Sequence, residues 1–250
     1  MNRPRVLKLV LTIAVLACVG LAAPQTIPSV SLQVGPQKGA GDVATTLQIL
    51  ALLTVLSLAP ALLMLTTAFT RIVIIFSFLR SALGAPSIPP NQVLVGLSLF
   101  LTFFIMKPTW DKVYVDAIQP LSSHQAGFGM DQAIVKAEAP MRDFMLKSTY
   151  ESDLKLFLDL RHQKPATPDQ VDVVTLVPAF MISELKTSFI IGFYIYIPFL
   201  IIDLIVASSL MSMGMMMMPP TVVSLPAKLL VFVLADGWAT LIQAILQGYR

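Results

Sequence analysis

Few side chains in this sequence are of types that carry out chemistry, and their spacing limits what that chemistry can be. Gly39-Ala40-Gly41-Asp42 matches the glycine-x-glycine-aspartate string of intramembrane aspartyl proteases. Such an enzyme needs two carboxylates facing each other in an apolar site, where like charges cannot both ionise. Asp203 is the only deep candidate for a partner; it comes from the wrong place in the chain order, and the string itself lies in a polar stretch. The sequence also lacks HExxH, G-x-S-x-G, a phosphate-binding glycine loop and CxxC. Cys18 is the single cysteine, and His124 and His162 are the only histidines, which leaves no internal disulfide and no histidine-built metal site. The chain reads as a non-enzyme that needs no cofactor.

The densest run of one polarizable side chain is SMGMMMMPP, residues 212–220, which holds five of the thirteen methionines. Thioethers are soft ligands for copper(I). Four consecutive side chains on a turn cannot converge on one ion within a subunit, although a ring of subunits could manage it. The run is otherwise apolar filler at a turn, or a deformable surface. Five ionisable residues stand in the apolar sequence around it: Glu184, Lys186, Asp203, Lys228 and Asp236. Each costs at least ~2.5–3.5 kcal/mol at a bilayer centre, so each should be paired, face water or sit in an interface. Glu184 and Lys186 have the alternative of meeting solvent at the start of a helix. Asp203, flanked by FLII and LIVA, is the sharpest case. Lys228 and Asp236 lie two helical turns apart, too far to pair directly, and their partners are expected on other subunits.

The elements that must position these residues follow from composition. Hydrophobic residues make up 56% of the chain and charged residues 12%, with a mean hydropathy of +0.80. A soluble domain carries about a quarter charged residues, so this is a membrane-type protein. Seventeen basic residues scattered over 250 form no dense stripe and give nucleic-acid binding little support.

Residues 1–22 look like a cleaved signal peptide. Arg3, Arg5 and Lys8 precede the apolar Leu9–Leu21, and Gly20-Leu21-Ala22 supplies small residues for cleavage after Ala22. A retained first membrane helix is the alternative, and Val15-Leu16-Ala17-Cys18 faintly resembles a lipoprotein box that would lipidate Cys18. Residues 23–44 read as a flexible linker. Residues 45–106 form a first apolar helical hairpin, kinked at Pro60 and turned at GAPSIPPN, Gly84–Asn91. Its return run, Val93–Met106, has fourteen residues, about 21 Å of helix against a ~30 Å hydrocarbon core.

Residues 107–173 are a polar helical segment. The stretch 107–172 holds 18 of the 31 Lys, Arg, Asp and Glu residues. Ile134, Ala137, Met141, Phe144 and Met145 recur there at amphipathic-helix spacing. Residues 174–250 form the second apolar hairpin, Val174–Met211 and Thr221–Leu246, with the methionine run at its tip. The expected fold is all-α. A cleaved signal places Arg71, Arg80 and GAPSIPPN on the cytoplasmic side, 107–172 outside, and the methionine tip on the cytoplasmic side again. Small residues Ala207, Ser208, Ser209, Gly192 and Gly237 allow close helix approach. On residues alone, a small-solute or ion transporter subunit of the inner membrane is the competing function, although the hairpins share no symmetry of the kind such transporters show.

Three stretches carry a resemblance: FTRIVIIFSFLRSALGAPSIPPNQVLVGLSLFLTFFIM (Phe69–Met106), PAFMISELKTSFIIGFYIYIPFLIIDLIVASSLMSMGMMMMPP (Pro178–Pro220) and SLPAKLLVFVLADGW (Ser224–Trp238). They resemble the FliP family of type III secretion export gates, over most of residues 45–250, and the signal sequence favours the flagellar branch. The resemblance implies a core export-gate subunit at the basal body in the bacterial inner membrane. It implies a pentamer assembling with FliQ and FliR into a helical cone, with FliO, FlhB and FlhA nearby. On the same resemblance, unfolded flagellar subunits would pass through, driven by the proton-motive force and a separate ATPase. Met215, Met216, Met217 and Met218 would then form a gasket across the channel. Gly214, Pro219 and Pro220 would shape its loop, and Glu184 and Lys228 would pair between neighbouring subunits, with Asp203 at a further acidic position.

Overall fold

The computed structural model describes residues 40–85, 87–123, 127–165, 167, 170–215 and 218–249. The signal peptide and most of the linker expected from the sequence lie outside these residues. Every regular element among them is helical. Residues 40–52 form the opening part of helix α1 (Ala40–Thr66), and residues 53–249 form a second compact unit that contains all the other elements.

The stretch 45–106 expected as one hairpin is three helices: its first arm breaks at Thr67–Ala68 into α1 and α2 (Phe69–Leu83), and α2 pairs with α3 (Asn91–Val113). Gly84, at φ 73°, closes α2 and returns its N–H to the Ser81 carbonyl at 3.1 Å. Pro89 and Pro90 cannot extend a helix, and α3 starts directly after them. The apolar run Val93–Met106 does not end where its hydropathy does. The helix continues through Lys107–Val113 and a π-helical stretch, Tyr114–Ile118, into α4 (Gln119–Ser122). The continuous helical stretch is 32 residues, Asn91–Ser122, long enough to cross a bilayer.

The polar segment supplies α5 (Met130–Ser148) and α6 (Glu151–Leu160). The apolar stripe of α5 delivers Phe144 and Met145 into a small core with Val171, Leu176 and Phe180. Leu154 and Leu158 of α6 pack on the same cluster. The polar segment is thereby docked on the first turns of α7 (Val173–Ser212), whose N-cap is Asp172.

Helix α7 has 40 residues, roughly 60 Å at 1.5 Å per residue, about twice a hydrocarbon core. It runs beside α2 in the same direction, since Arg71 meets Glu184 and Phe78 lies over Gly192. A Cβ on Gly192 would fall 2.5 Å from the Phe78 ring, so glycine is what lets the two backbones approach. Ile72, Ile75, Phe76 and Leu79 of α2 form the main core with Phe199 of α7 and residues of the last two helices.

The second hairpin returns as α8 (Pro220–Leu234) and α9 (Gly237–Gln247). The expected single run Thr221–Leu246 is broken by a 63° bend. Asp236 sits at the bend with φ 47°, a left-handed conformation that Asp tolerates better than most side chains. Much of the apolar surface stays uncovered within one chain: only 11% of the most apolar window of α7 is buried, and Phe100 and Leu234 are 71% and 76% exposed. A helix apolar all round demands lipid or other chains as its surroundings.

Candidate functional site

The tip of the second hairpin is built by its glycine and prolines. Gly214 takes φ 74°, which a side chain would strain, and donates its N–H to Met211 O at 3.1 Å. Met215 donates to Leu210 O at 3.0 Å, closing the last turn of α7. Pro219 and Pro220 then start α8, where a missing N–H costs nothing. Met215 and Met218 are exposed, as are Met211 and Met213. Met216 and Met217 lie outside the described residues.

Two charge clusters, the first buried and the second partly buried, hold the hairpins together below this tip. In the first, Glu184 is fully buried and accepts both arms of the Arg71 guanidinium: Nε reaches Oε2 at 2.8 Å, and Nη2 reaches Oε1. The Tyr249 hydroxyl donates to the same Oε2 at 2.6 Å. Arg71 Nη1 donates to the Gly248 carbonyl at 3.1 Å, and the guanidinium lies 3.9 Å over the Tyr249 ring. That ring also stacks on Phe144. Burial, and next the negative Glu184, push the Tyr249 phenol well above its ordinary value, so it stays a donor. This bidentate pairing joins α2, α7 and the end of the chain.

In the second cluster, Lys228 Nζ meets Asp203 Oδ2 at 2.6 Å and donates to the Ala82 carbonyl at 3.0 Å. The Ser224 hydroxyl, one turn before Lys228 on α8, donates to Asp203 Oδ1 at 2.6 Å. Lys228 thus caps the carbonyl end of α2, where orphan acceptors and the helix dipole favour a cation. It joins the tip-side half of the second hairpin to the end of the first. Beyond Asp203, α7 runs nine more residues to Ser212, so the methionine loop stands about 13 Å past this lock.

Glu184 and Lys228 were expected to pair between subunits; within one chain each has its own counter-ion, Arg71 and Asp203. They cannot meet within the chain, because their contacts on α2, Arg71 and Ala82, are eleven residues or about 16 Å apart. The partner expected elsewhere for Lys228 is Asp203, on the facing arm of the same hairpin. Asp236 is exposed at the bend. Lys186 is a surface group 3.9 Å from Asp153, so the solvent-facing alternative holds for Lys186 and fails for Glu184.

Arg71 does not sit with Arg80 near the first hairpin tip. It lies at the opposite end of α2, already neutralised, and does not count as a topogenic tip charge. Arg71 and Tyr249 are the two members of the buried network that the sequence reading missed. Arg71 stands immediately before IVIIF, so the test applied to charges in the second hairpin would have found it. Among the described residues no group of three His, Cys, Asp or Glu is placed to hold a metal ion.

Comparison with known proteins places these features in context. The FliP family model matches residues 52–245. The chain is 53% identical over 209 residues to the flagellar biosynthetic protein FliP of Bacillus subtilis, covering 83% of this chain and 94% of that protein. It is 45% identical over 248 residues to FliP of Agrobacterium fabrum, covering 98% and 100%. Against FliP of Aquifex aeolicus identity is 44% over 227 residues, covering 90% and 92%.

Proposed function

Because this chain belongs to the FliP family, we propose that it is a core subunit of the flagellar type III export gate and forms the channel through which unfolded flagellar proteins cross the inner membrane. It is a membrane-embedded flagellar component, and the finer reading adds its place: the basal body, in a pentamer with FliQ and FliR, and with FliO, FlhB and FlhA close by. The observation that carries this reading is the parallel arrangement of the two hairpins. Both tips lie toward one end, and the methionine loop projects past the Lys228–Asp203 lock. Subunits set around an axis in a helical cone would bring these loops together, with the uncovered faces of α3 and α7 against neighbours or lipid.

A ring of Met215–Met218 suits a seal that must close around varied chains. Methionine has three rotatable bonds and a polarizable sulfur, so it repacks where a branched side chain would be stiff. Gly214, Pro219 and Pro220 hold the loop in place around the opening. Asp203, Lys228 and Glu184 fix the helices that carry it.

The test replaces Met215–Met218 by alanine in cells lacking the native gene, after the assembled complex has been confirmed by size. We expect raised membrane conductance and small-solute entry with assembly intact. Intact assembly without a leak would make the methionines filler and move the seal elsewhere. Filament-protein secretion that persists in cells with the gene deleted would remove the export role altogether.

A further inference from the structure

We propose that the cleft between α1 and α3 is a binding site for one acyl chain and ester carbonyl of a glycerophospholipid, with Trp110 as the residue that recognises the ester. The cleft has a volume of about 290 Å³ and is lined almost wholly by carbon, with Pro60, Leu63 and Met64 on α1 facing Leu99, Phe103 and Trp110 on α3. It is about twice the size of a cavity (~150 Å³) that takes up benzene from water. From Leu99 to Trp110 it follows eleven residues of α3, about 16 Å. Phe103 is exposed, so the cleft opens sideways along the apolar face of the helix.

One polar atom breaks this lining. The indole Nε1 of Trp110 is buried and has no hydrogen-bond acceptor. A buried donor left unpaired is costly, and tryptophan in an interior normally finds a partner. The occupant must therefore combine an apolar body with an acceptor at the Trp110 end. The position of Trp110 says which molecule does. It stands in KPTWDK, where the apolar run ending at Met106 gives way to Lys107, Asp111 and Lys112. Tryptophan at such a boundary sits at headgroup level, the depth at which a glycerolipid carries its ester carbonyls directly above its acyl chains. Lys107 and Lys112 stand three residues before and two after Trp110, and are 70% and 60% exposed. Their partners, Asp111 at 2.7 Å and Asp143 at 3.9 Å, are also exposed, so a phosphate can exchange with either pairing. A second protein chain over the cleft would have to place an acceptor at this one depth, whereas every glycerolipid carries one there.

The proposal rests on membrane insertion and not on the export channel. Its test uses the full chain in its assembled complex, carrying Trp238→Phe so that Trp110 is this chain's only indole, with its emission taken as the difference from the same complex carrying Trp110→Phe. The complex is reconstituted in vesicles of phosphatidylethanolamine and phosphatidylglycerol with brominated acyl chains. Bromine in the cleft should quench the Trp110 emission, and Leu99→Phe, which narrows the cleft, should weaken the quenching. In parallel, mass spectrometry of the intact native-sequence complex in detergent should find phospholipid retained. Trp110→Phe should lower the affinity for it roughly threefold to tenfold, the range of one neutral hydrogen bond. Unquenched emission from protein that still floats with the vesicles overturns the proposal, and leaves insertion standing with another protein over the cleft. Equal lipid retention in native, Trp110→Phe and Leu99→Phe complexes overturns it as well.

Discussion

Replacing Arg71 by methionine leaves Glu184 fully buried with the Tyr249 hydroxyl as its remaining hydrogen-bond donor. Removing one member of a buried pair costs about 3–5 kcal/mol, because the other charge stays uncompensated. At ~2–4 °C per kcal/mol for a chain of this length, the thermal midpoint should fall on the order of 10 °C. Glu184→Met alone should cost a similar amount by stranding Arg71. The double variant removes both charges together. Apolar replacements of a whole buried pair are often neutral or better, and the new defects are a Tyr249 hydroxyl without its acceptor and a Gly248 carbonyl without the Arg71 donor, about 1 kcal/mol each. The double variant should therefore stand close to the native protein and well above either single one. The assay is thermal unfolding of the detergent-solubilised complex, followed by fluorescence and by retention of its assembled size. The same cycle run on Glu184 and Lys228 should show coupling below about 0.5 kcal/mol, as for distant sites. A double Arg71–Glu184 variant no better than the worse single one refutes the account. So does strong coupling between Glu184 and Lys228, which would return that pair to the boundary between subunits.

Two further outcomes follow from local geometry. Gly192→Ala places a methyl 2.5 Å from the Phe78 ring, and should lower stability by about 1–3 kcal/mol in the same assay. Gly96→Ala, with open space around its position, is the control that should change little. Asp172 caps α7 and accepts from Arg161 at 2.7 Å; that hydrogen bond first, and the Val174 N–H second, hold its carboxyl below the usual aspartate range. A depressed folded-state pKa contributes stability above the unfolded value, and loses it as pH falls through the folded one. The advantage of the native protein over Asp172→Asn should accordingly be constant near neutrality and vanish in strong acid. An advantage unchanged at the lowest pH reached would refute this.

The sequence was most legible where a local rule suffices. Hydropathy located the apolar stretches, although the first run divides into α1 and α2 at Thr67–Ala68. The proline turns ended α2 and opened α8, and the amphipathic stripe put Phe144 and Met145 in a core while Ile134 stays exposed. It was least legible where the deciding partner is far along the chain. Glu184 was flagged as a charge needing company, but Arg71 lies 113 residues earlier and Tyr249 lies 65 later. No spacing rule links them. Helix ends set by hydropathy failed for α3, because its backbone hydrogen bonds continue past the last apolar residue into Lys107–Val113. The bend at Asp236 was hidden for a related reason. ADGW is apolar enough to continue a run, and only the backbone angle at Asp236 reveals the break.

The direction of the two hairpins follows from the segment that looked least functional. Helix α3 brings the chain back to the end of α2 where it began, and a short link from there to α7 would leave the start of α7 without fixed neighbours. The polar segment instead docks through Phe144, Met145, Leu154 and Leu158 onto Leu176 and Phe180, in the first turns of α7. That contact fixes where α7 begins, and Arg71–Glu184, one to two turns further on, fixes its rotation against α2. From these anchors α7 has only one way to run, alongside α2. Lys228 then ties the returning α8 to the end of α2, at a fixed height beneath the methionine loop. The position of the loop is thus set by contacts at both ends of α2. A change near Phe144 or Leu176 is expected to disturb the tip, although neither residue lies near it.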